Sequence, residues 1–284
     1  MAGGKKKDRL PALVEQYLDT NRYDYNFEFT QRVHHAREIA ADAASRYQVI
    51  VAVGGDGTIN EIGSGIVGTD AALGIIPYGS GNGLARFLGI PMDTGKAIQT
   101  LNQLRTEVID GARLNDQWFF NMAGMGFDAH ISEVFSHHKG RGFGAYFSSS
   151  VKEISNYKSQ HYQIIIDGKV YEREAFMLSF ANSSQYGNNA HVSPKASVQD
   201  GLLDVCIIKP FPLYRFPEMG LRMFTRTAEG SKYVEIVRGK HIEVKRNGPG
   251  PIHLDGEPQV IGADAKINIE PRVLKIIAGS NYKP

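Results

Sequence analysis

The chain has 284 residues, of which 42% are hydrophobic and 22% are charged, a composition typical of an ordinary globular protein with one large or two smaller domains. Its 32 basic and 30 acidic residues leave a net charge of +2, which argues against nucleic acid as a partner. The single cysteine, Cys206, excludes an intramolecular disulfide, so we expect a cytoplasmic protein.

Residues 1–111 alternate predicted helices and strands. The apolar spacing predicts helices at residues 11–18 and 94–104, and a further helix with Thr30 as its N-cap. The predicted strands occupy residues 25–29, 48–53, 73–76 and 106–109. This alternation predicts an α/β domain in which helices flank a parallel sheet.

A glycine-rich turn, Gly54–Thr58 with the sequence GGDGT, connects the second predicted strand to a helix. Its three glycines let backbone N–H groups come close to a ligand. Apolar residues then recur at helical spacing from Ile59 to Ile66, so the positive end of a helix faces the turn and favours an anion. Asp56 would repel that anion unless a divalent cation lay between them. A tight connection without a ligand is the alternative, but such a turn does not need an acid.

A second glycine-rich turn follows the strand at residues 73–76. Gly79-Ser80-Gly81-Asn82 offers a hydroxyl and an amide without negative charge, which suits contact with a nucleotide phosphate or ribose. Carboxyl ends of parallel strands share one edge of a sheet, so we expect both turns to face the same ligand.

The pattern changes after Gly111. Short apolar runs at 117–122, 162–166, 175–181, 203–208, 241–245 and 266–270 are separated by turn residues. Asp167-Gly168 is a strong hairpin signal, and helices are predicted near 128–137 and 213–225. Residues 112–284 are therefore predicted to form a mainly antiparallel β domain.

Four motifs stand in order along the chain: GGDGT, GSGN, NMAGMGFD at 121–128 and LDGE at 254–257. Together they resemble the lipid kinase family that contains the diacylglycerol and sphingosine kinases. The resemblance implies that residues 1–111 form a nucleotide-binding, NAD kinase-like domain and that residues 112–284 supply the lipid site. It further implies an ATP- and Mg²⁺-dependent kinase that phosphorylates the primary hydroxyl of diacylglycerol or a related lipid.

The resemblance also assigns residues to roles. Residues expected to contact ATP are Thr30, Gly54, Gly55, Asp56, Gly57, Thr58, Ile59, Asn60, Ser80 and Asn82. The expected catalytic residues are Asp56, Asp255 and Glu257, of which one of the last two takes the proton of the lipid hydroxyl. The segment 199–204 resembles one that holds a structural magnesium, with Asp204, Leu202 and Gln199 as ligands. Gln199 stands where an acid is expected, so a metal-free turn is the alternative.

Two features leave the lipid open. Gly83 follows Asn82 where bacterial diacylglycerol kinases tend to have Asp, and GSGNGLA looks closer to sphingosine kinases. A sphingoid base is therefore an alternative substrate. Asp128 could then pair with the ammonium group of that base; the other interpretation is that Asp128 is simply an acid at a helix N-terminus. Lys139 and Arg141 are expected either in a loop that closes over phosphate or in an exposed turn.

Family members begin with an apolar strand and an Asn-Pro-x-Ser-Gly loop, whereas this sequence begins with MAGGK. We expect that the first family strand is missing.

No apolar run approaches the roughly 20 residues that span a bilayer, so a lipid substrate implies transient contact with the inner membrane surface. The apolar and basic stretch 210–225 could make that contact or belong to the core. A homodimer and a non-catalytic nucleotide- or lipid-binding regulator are further alternatives.

Overall fold

A computed structural model of the chain describes residues 7–136, 153–154 and 156–284. It divides into two compact units: unit 1, Met1–Ile109 with Arg272–Pro284, and unit 2, Asp110–Pro271. The sequence division after Gly111 assigned residues 272–284 to the second half, whereas their contacts are with unit 1. The chain passes between the units twice, within the strands β3 (Thr106–Leu114) and β16 (Asp264–Ile277).

Unit 1 is built from helices packed on parallel strands. Its elements, apart from the parts of β3 and β16 that it includes, are α1 (Leu10–Tyr17), α2 (His35–Ala43), β1 (Val49–Gly54), α3 (Asp56–Ile66), β2 (Ala72–Pro77), α4 (Gly83–Phe87) and α5 (Thr94–Gln103). Strands β1 and β2 pair in parallel over their whole lengths, and Ile276 of β16 pairs with Leu73 of β2, also in parallel. All six residues of β2 are buried, as expected for a strand covered on both faces.

Two predictions in unit 1 are wrong. Residues 25–29 form neither helix nor strand, and the following helix begins at His35 rather than beside Thr30, which is exposed. Glu61 of α3 explains the later start, because its carboxylate accepts hydrogen bonds from the backbone N–H groups of His34 and Ala36, each at 3.2 Å. A side chain from a neighbouring helix thus holds the start of α2, in place of a cap by Thr30.

Unit 2 is a β-sandwich, and the helices α6 and α7 are among its described elements. Besides its parts of β3 and β16, its elements are β4 (Gln117–Phe119), β5 (Met122–Gly126), α6 (Phe127–Ser136), β6 (Gln160–Ile166), β7 (Lys169–Ala175), β8 (Met177–Ala181), β9 (Gln185–Gly187), β10 (Ala190–His191), β11 (Leu203–Ile208), α7 (Phe216–Phe224), β12 (Val234–Gly239), β13 (His241–Arg246), β14 (Gly250–Leu254) and β15 (Glu257–Ile261). One sheet is antiparallel, with six strands in the order β12-β11-β8-β5-β14-β15. The other includes β16, β13, β6 and β7, joined by β3 and β4. The predicted Asp167-Gly168 hairpin joins β6 to β7.

The core of unit 2 lies between these two sheets. Large residues from both sheets are fully buried there, including Phe119, Tyr162 and Phe180. A second apolar cluster covers the other face of the six-stranded sheet, where residues of α6 and α7 pack on the strands. Cys206 belongs to this second cluster, and burial raises the pKa of its thiol above the usual value, so it is an inert core residue as expected.

Candidate functional site

The two glycine-rich turns of unit 1 lie against each other. The backbone N–H of Tyr78 donates to the carbonyl of Gly54 at 2.8 Å, which joins the ends of β1 and β2. A Cβ atom placed on Gly79 would lie 2.6 Å from the Cα of Gly55, and one placed on Gly55 would lie 3.1 Å from the Cα of Gly79. A side chain on Gly79 would push the turns apart, and one on Gly55 would crowd Gly79, so the two glycines allow this close contact.

The GGDGT turn ends in the first turn of α3. Gly55 is the N-cap and supplies no side-chain acceptor, so helix geometry leaves the first N–H groups, those of residues 56–58, to a partner outside the helix. Asp56 stands at the first helical position and is half-buried. The side chain of Ile59 is 1% exposed, which leaves only its backbone for a ligand.

The GSGN turn is shaped by its own asparagine. The side chain of Asn82 accepts from the backbone N–H of Gly79 at 2.9 Å and donates to the carbonyl of Gly79 at 2.8 Å. Asn82 is buried and adopts a left-handed conformation, with φ of 51°. The amide that we expected at the nucleotide therefore closes the turn instead, whereas Ser80 is exposed.

Two cationic side chains that the sequence analysis overlooked lie at these turns. The ammonium of Lys7 donates to the carbonyl of Val53 at 2.6 Å and lies 5.9 Å from the ring centre of Tyr78. Burial lowers the pKa of Lys7. Arg86 donates from Nε to the carbonyl of Gly81 at 3.1 Å. A basic residue inside the helix that follows GSGN could have been noticed, but nothing in the sequence links Lys7 to residue 53.

These features of unit 1 fit the phosphates of ATP. A polyanion is favoured by three of them: the helix N-terminus without a side-chain cap, the two turns in backbone contact, and the two cations at those turns. Asp56 is the one acidic side chain within the two turns, and a carboxylate is a preferred ligand of Mg²⁺.

In unit 2, the Asp255 carboxylate is held by backbone donors. It accepts hydrogen bonds from the N–H groups of Phe120, Asn121 and Met122 at 2.9–3.0 Å. The predicted strand 117–122 is therefore interrupted, because donors that would continue a strand ladder bind Asp255 instead. Asp255 is buried and has a φ of 49° in the tight turn between β14 and β15. Glu257, two residues later, is exposed.

A second buried acid, Asp128, has three side-chain partners. Its Oδ2 accepts from Tyr186 at 2.8 Å, from His253 Nε2 at 3.1 Å and from Ser179 at 3.3 Å. Burial, followed by the charge of Asp128, raises the pKa of Tyr186 well above its usual value, so its hydroxyl stays a donor. The structure thus brings the NMAGMGFD and LDGE motifs together, through Asn121 with Asp255 and through Asp128 with His253, the residue before LDGE.

The residues expected to hold a structural magnesium do not fit a metal ion. Arg238 donates to Asp204 Oδ1 at 2.9 Å, and the hydroxyl of Ser193 donates to Oδ2. Asp204 is buried, and the guanidinium already supplies the positive charge that a cation would bring. The backbone N–H of Gln199 donates to the hydroxyl of Ser197, and that of Leu202 donates to the carboxylate of Asp200. Lys139 and Arg141 lie outside the described residues.

Comparisons with known proteins agree with this architecture. Residues 1–114 match the model of the diacylglycerol kinase catalytic domain, and residues 121–278 match that of the YegS C-terminal NAD kinase beta sandwich-like domain. A protein named "Probable lipid kinase YegS-like" from Chromohalobacter salexigens is 30% identical over 78% of this chain and 73% of its own. A protein named "Diacylglycerol kinase" from Bacillus subtilis is 29% identical over 87% and 83%.

Solved structures share the fold. The crystal structure of a diacylglycerol kinase from Bacillus anthracis superposes with a TM-score of 0.77 at 21% identity, over 99% of this chain and 96% of the other. An NAD kinase from Archaeoglobus fulgidus in complex with ATP gives 0.52 at 14% identity, over 97% and 92%. The predicted fold class, an NAD kinase-like α/β domain followed by a mainly antiparallel β domain, is confirmed. The chain belongs to the diacylglycerol kinase-type family of lipid kinases, which are phosphotransferases.

Proposed function

We propose that the chain transfers the γ-phosphoryl group of ATP to the primary hydroxyl of diacylglycerol or a closely related lipid. The observation that carries the proposal is the pair of glycine-rich turns in backbone contact, at which Lys7 and Arg86 place positive charge. Phosphoryl transfer depends mainly on positioning and on neutralising phosphate charge, and these residues can do both.

The N–H groups at the start of α3 and the ammonium of Lys7 would hold the phosphates in place. A Mg²⁺ ion bound with ATP would add positive charge at the phosphates, and Asp56 is the residue of the GGDGT turn that would hold it. As the lipid oxygen forms a bond to the γ-phosphorus, the bond between that phosphorus and the ADP oxygen breaks. The hydroxyl proton passes to a carboxylate, and ADP and the phosphorylated lipid are released.

Glu257 is better placed than Asp255 to take that proton. A carboxylate has about four acceptor positions, and backbone N–H groups already use three on Asp255. Glu257 is exposed at the start of β15, where a substrate can reach it. We therefore propose that Asp255 fixes the turn and that Glu257 is the general base, a role that contributes about 10²- to 10⁴-fold to a rate.

The variants Glu257→Gln and Asp255→Asn separate these two roles. We expect Glu257→Gln to lower kcat by about 10²-fold or more with an unchanged melting temperature, since the side chain is exposed. Asp255→Asn should lower the melting temperature. The NH2 group of an asparagine cannot accept a hydrogen bond, so at least one of the three backbone donors would lose its acceptor. A Glu257→Gln variant with wild-type kcat would rule out Glu257 as the base.

Diacylglycerol is favoured over a sphingoid base. The residue that could pair with an ammonium group, Asp128, is 4% exposed and already accepts from Tyr186, His253 and Ser179. Binding a charged amine there would require breaking a buried hydrogen-bond network, and leaving its members unpaired is costly. The Bacillus subtilis relative named as a diacylglycerol kinase supports the same choice.

The direct test is transfer of labelled γ-phosphate to diacylglycerol, sphingosine, ceramide and phosphatidylglycerol, with and without Mg²⁺. We expect product from diacylglycerol, dependence on Mg²⁺, and no product from Asp56→Asn. Transfer to sphingosine alone would make the sphingoid-base alternative correct. ATP binding without transfer to any of these lipids would favour a non-catalytic regulator on the same fold.

A further inference from the structure

The helix α7 of unit 2 and the residues just before it are apolar on two opposite sides. On the inner side, Met219 is 6% exposed, and Phe216 and Met223 pack against the cluster on the six-stranded sheet. Away from that cluster, six apolar residues are exposed, which are Pro217, Leu221 and Phe224 on the helix and Pro212, Leu213 and Tyr214 just before it. We call these six residues the outer apolar face.

The outer apolar face is continuous along the helix. Pro217, Leu221 and Phe224 are four and three residues apart, which places them on one side of an α-helix. Two members of the face are strongly exposed, with 77% for Tyr214 and 62% for Leu221. Single exposed apolar residues are ordinary, but a contiguous set marks an interaction site.

The charged side chains on α7 and just before it pair with one another. Glu218 pairs with Arg215 at 2.6 Å and with Arg222 at 2.9 Å. Burying the outer apolar face would therefore not strand an isolated charge of the helix in an apolar environment.

The segment around the face is basic. Residues 212–232 contain four basic side chains and two acidic ones, a net charge of +2 (4 − 2). These are Arg215, Arg222, Arg226 and Lys232 against Glu218 and Glu229. Glu229 is further neutralised by Lys195 from outside the segment, at 2.6 Å. Arg226 and Lys232 are exposed and can meet negative charge on a partner.

We propose that the outer apolar face docks this protein onto the surface of a bilayer that contains anionic phospholipid; the inference rests on the proposed function, because a diacylglycerol substrate resides in such a bilayer. Apolar side chains flanked by basic ones are the pattern of a helix that lies in the membrane interface. A second copy of the chain fits less well, since the two net-positive segments would face each other.

The mode of contact follows from the length of the helix. Among the described residues, no helix is both long enough and apolar enough to cross a membrane. α7 has nine residues, against roughly 20 for a span. It therefore lies along the interface, with Leu213, Leu221 and Phe224 among the acyl chains and the basic residues at the headgroups.

The test is co-sedimentation of the full chain with vesicles of phosphatidylcholine mixed with phosphatidylglycerol, and with vesicles of phosphatidylcholine alone. Leu213→Gln combined with Leu221→Gln should weaken binding to the mixed vesicles about tenfold or more. Val170→Gln is the matched control, because Val170 lies in β7 of the same unit and is 55% exposed, close to the 52% of Leu213. We expect wild-type binding from this control and weaker binding of wild type to phosphatidylcholine alone.

Binding of the double variant at wild-type strength, or no binding of wild type to either vesicle, would overturn the docking proposal. So would a dimer of wild type in size-exclusion chromatography that the double variant loses, since a second copy would then cover the face. Phosphorylation of a dispersed short-chain diacylglycerol separates the two proposals. Loss of vesicle binding with no lipid phosphorylated by wild type would leave docking standing and reject the proposed function. If wild type phosphorylates the dispersed lipid but the double variant binds vesicles as strongly as wild type, the proposed function stands and the docking proposal is rejected.

Discussion

The ammonium group of Lys7 lies where the ends of two parallel strands meet. One of its three N–H groups donates to the carbonyl of Val53, which precedes the GGDGT turn, and its charge lies beside the ring of Tyr78, which precedes the GSGN turn. An ammonium has three donors, so the same group can also bind a ligand. Partial burial weakens the competition from water, so an anion bound here gains more from the charge than at an open surface.

Lys7→Met should therefore weaken ATP binding about 10- to 100-fold, the value of a hydrogen bond to a charged group. Adenosine, which lacks phosphate, should bind both proteins equally. Titration calorimetry with ATP and adenosine measures both affinities. Lys275→Met is the control, because Lys275 also donates to a carbonyl, that of Asp70 at 3.1 Å, but near the opposite end of β2.

If Lys7→Met and Lys275→Met change the ATP affinity equally, the effect is one of net charge and Lys7 is not a phosphate contact. Wild type that fails to bind ATP would instead reject the proposed function. Lys7→Arg should restore part of the affinity, since it keeps the charge with a different geometry.

The site residues remain predictions, but the structure gives two of them a hydrogen-bonding role that the sequence motifs did not indicate. Asn82 and Asp255 were expected at ligands because amides and carboxylates bind them, yet both bind their own backbone. Short polar side chains stabilise tight turns by the same hydrogen bonds that would hold a ligand, so composition alone cannot separate the two uses. Lys7 was unpredictable for another reason: its contact joins residues 46 positions apart.

Among the elements, β5 and β14 are held in register by a buried polar network as well as by their ladder. Asp128 follows β5 at the start of α6, and His253 is the fourth residue of β14. The two side chains meet directly above Gly124 of β5, where a Cβ atom would lie 2.6 Å from His253 Nε2 and collide with Asp128 Oδ2. Only a glycine leaves room for this pair.

Gly124→Ala should therefore destabilise unit 2 by about 1–3 kcal/mol, the usual cost of overpacking. Gly220→Ala in α7 is the control: a Cβ atom there meets nothing within 4 Å, and alanine in a helix should stabilise by about 0.5–1 kcal/mol. Urea denaturation followed by the fluorescence of Trp118, the one tryptophan of the chain, reports on unit 2 for both variants. Equal stability of the two variants would mean that Asp128 and His253 can move aside at little cost.

Elements with a regular apolar pattern were predictable. The predicted strand 203–208 coincides with β11. The predicted helix 11–18 differs from α1 by one residue at each end. β14 and β15 were missed because they contain Gly250, Pro251 and Pro258, which indicate turns in isolation. Their pairing with each other and with β5 outweighs that local preference, since tertiary contacts override propensity.

For the whole molecule, the C-terminal segment is an integral part of unit 1. The N–H of Gly279 donates to Leu88 and that of Ala278 to Arg105, each at 2.9 Å. Tyr282 is 4% exposed, and its ring centre lies 6.0 Å from that of Phe87. Sequence reasoning ended the nucleotide-binding domain near Gly111 because it divided the chain by pattern, and no pattern reveals that a distant strand returns to an earlier sheet.

Tyr282→Ala should destabilise unit 1 by about 3–5 kcal/mol, the range for removing a buried aromatic ring. Hydrogen exchange should become faster throughout unit 1 while unit 2 keeps its protection. Lys283→Ala, a change at the neighbouring exposed residue, should stay within about 0.5 kcal/mol of wild type. Faster exchange confined to the last few residues would mean that the segment only covers unit 1.

The return of β16 to unit 1 also sets an order of events during synthesis. Unit 2 is one uninterrupted stretch, Asp110–Pro271, so it can fold as soon as it leaves the ribosome. Unit 1 has to wait for Arg272–Pro284 to be translated, 175 residues (284 − 109) after its first part is complete. At about 5–20 residues per second this delay is about 10–35 s. Unit 1, although most of it is made first, is finished last.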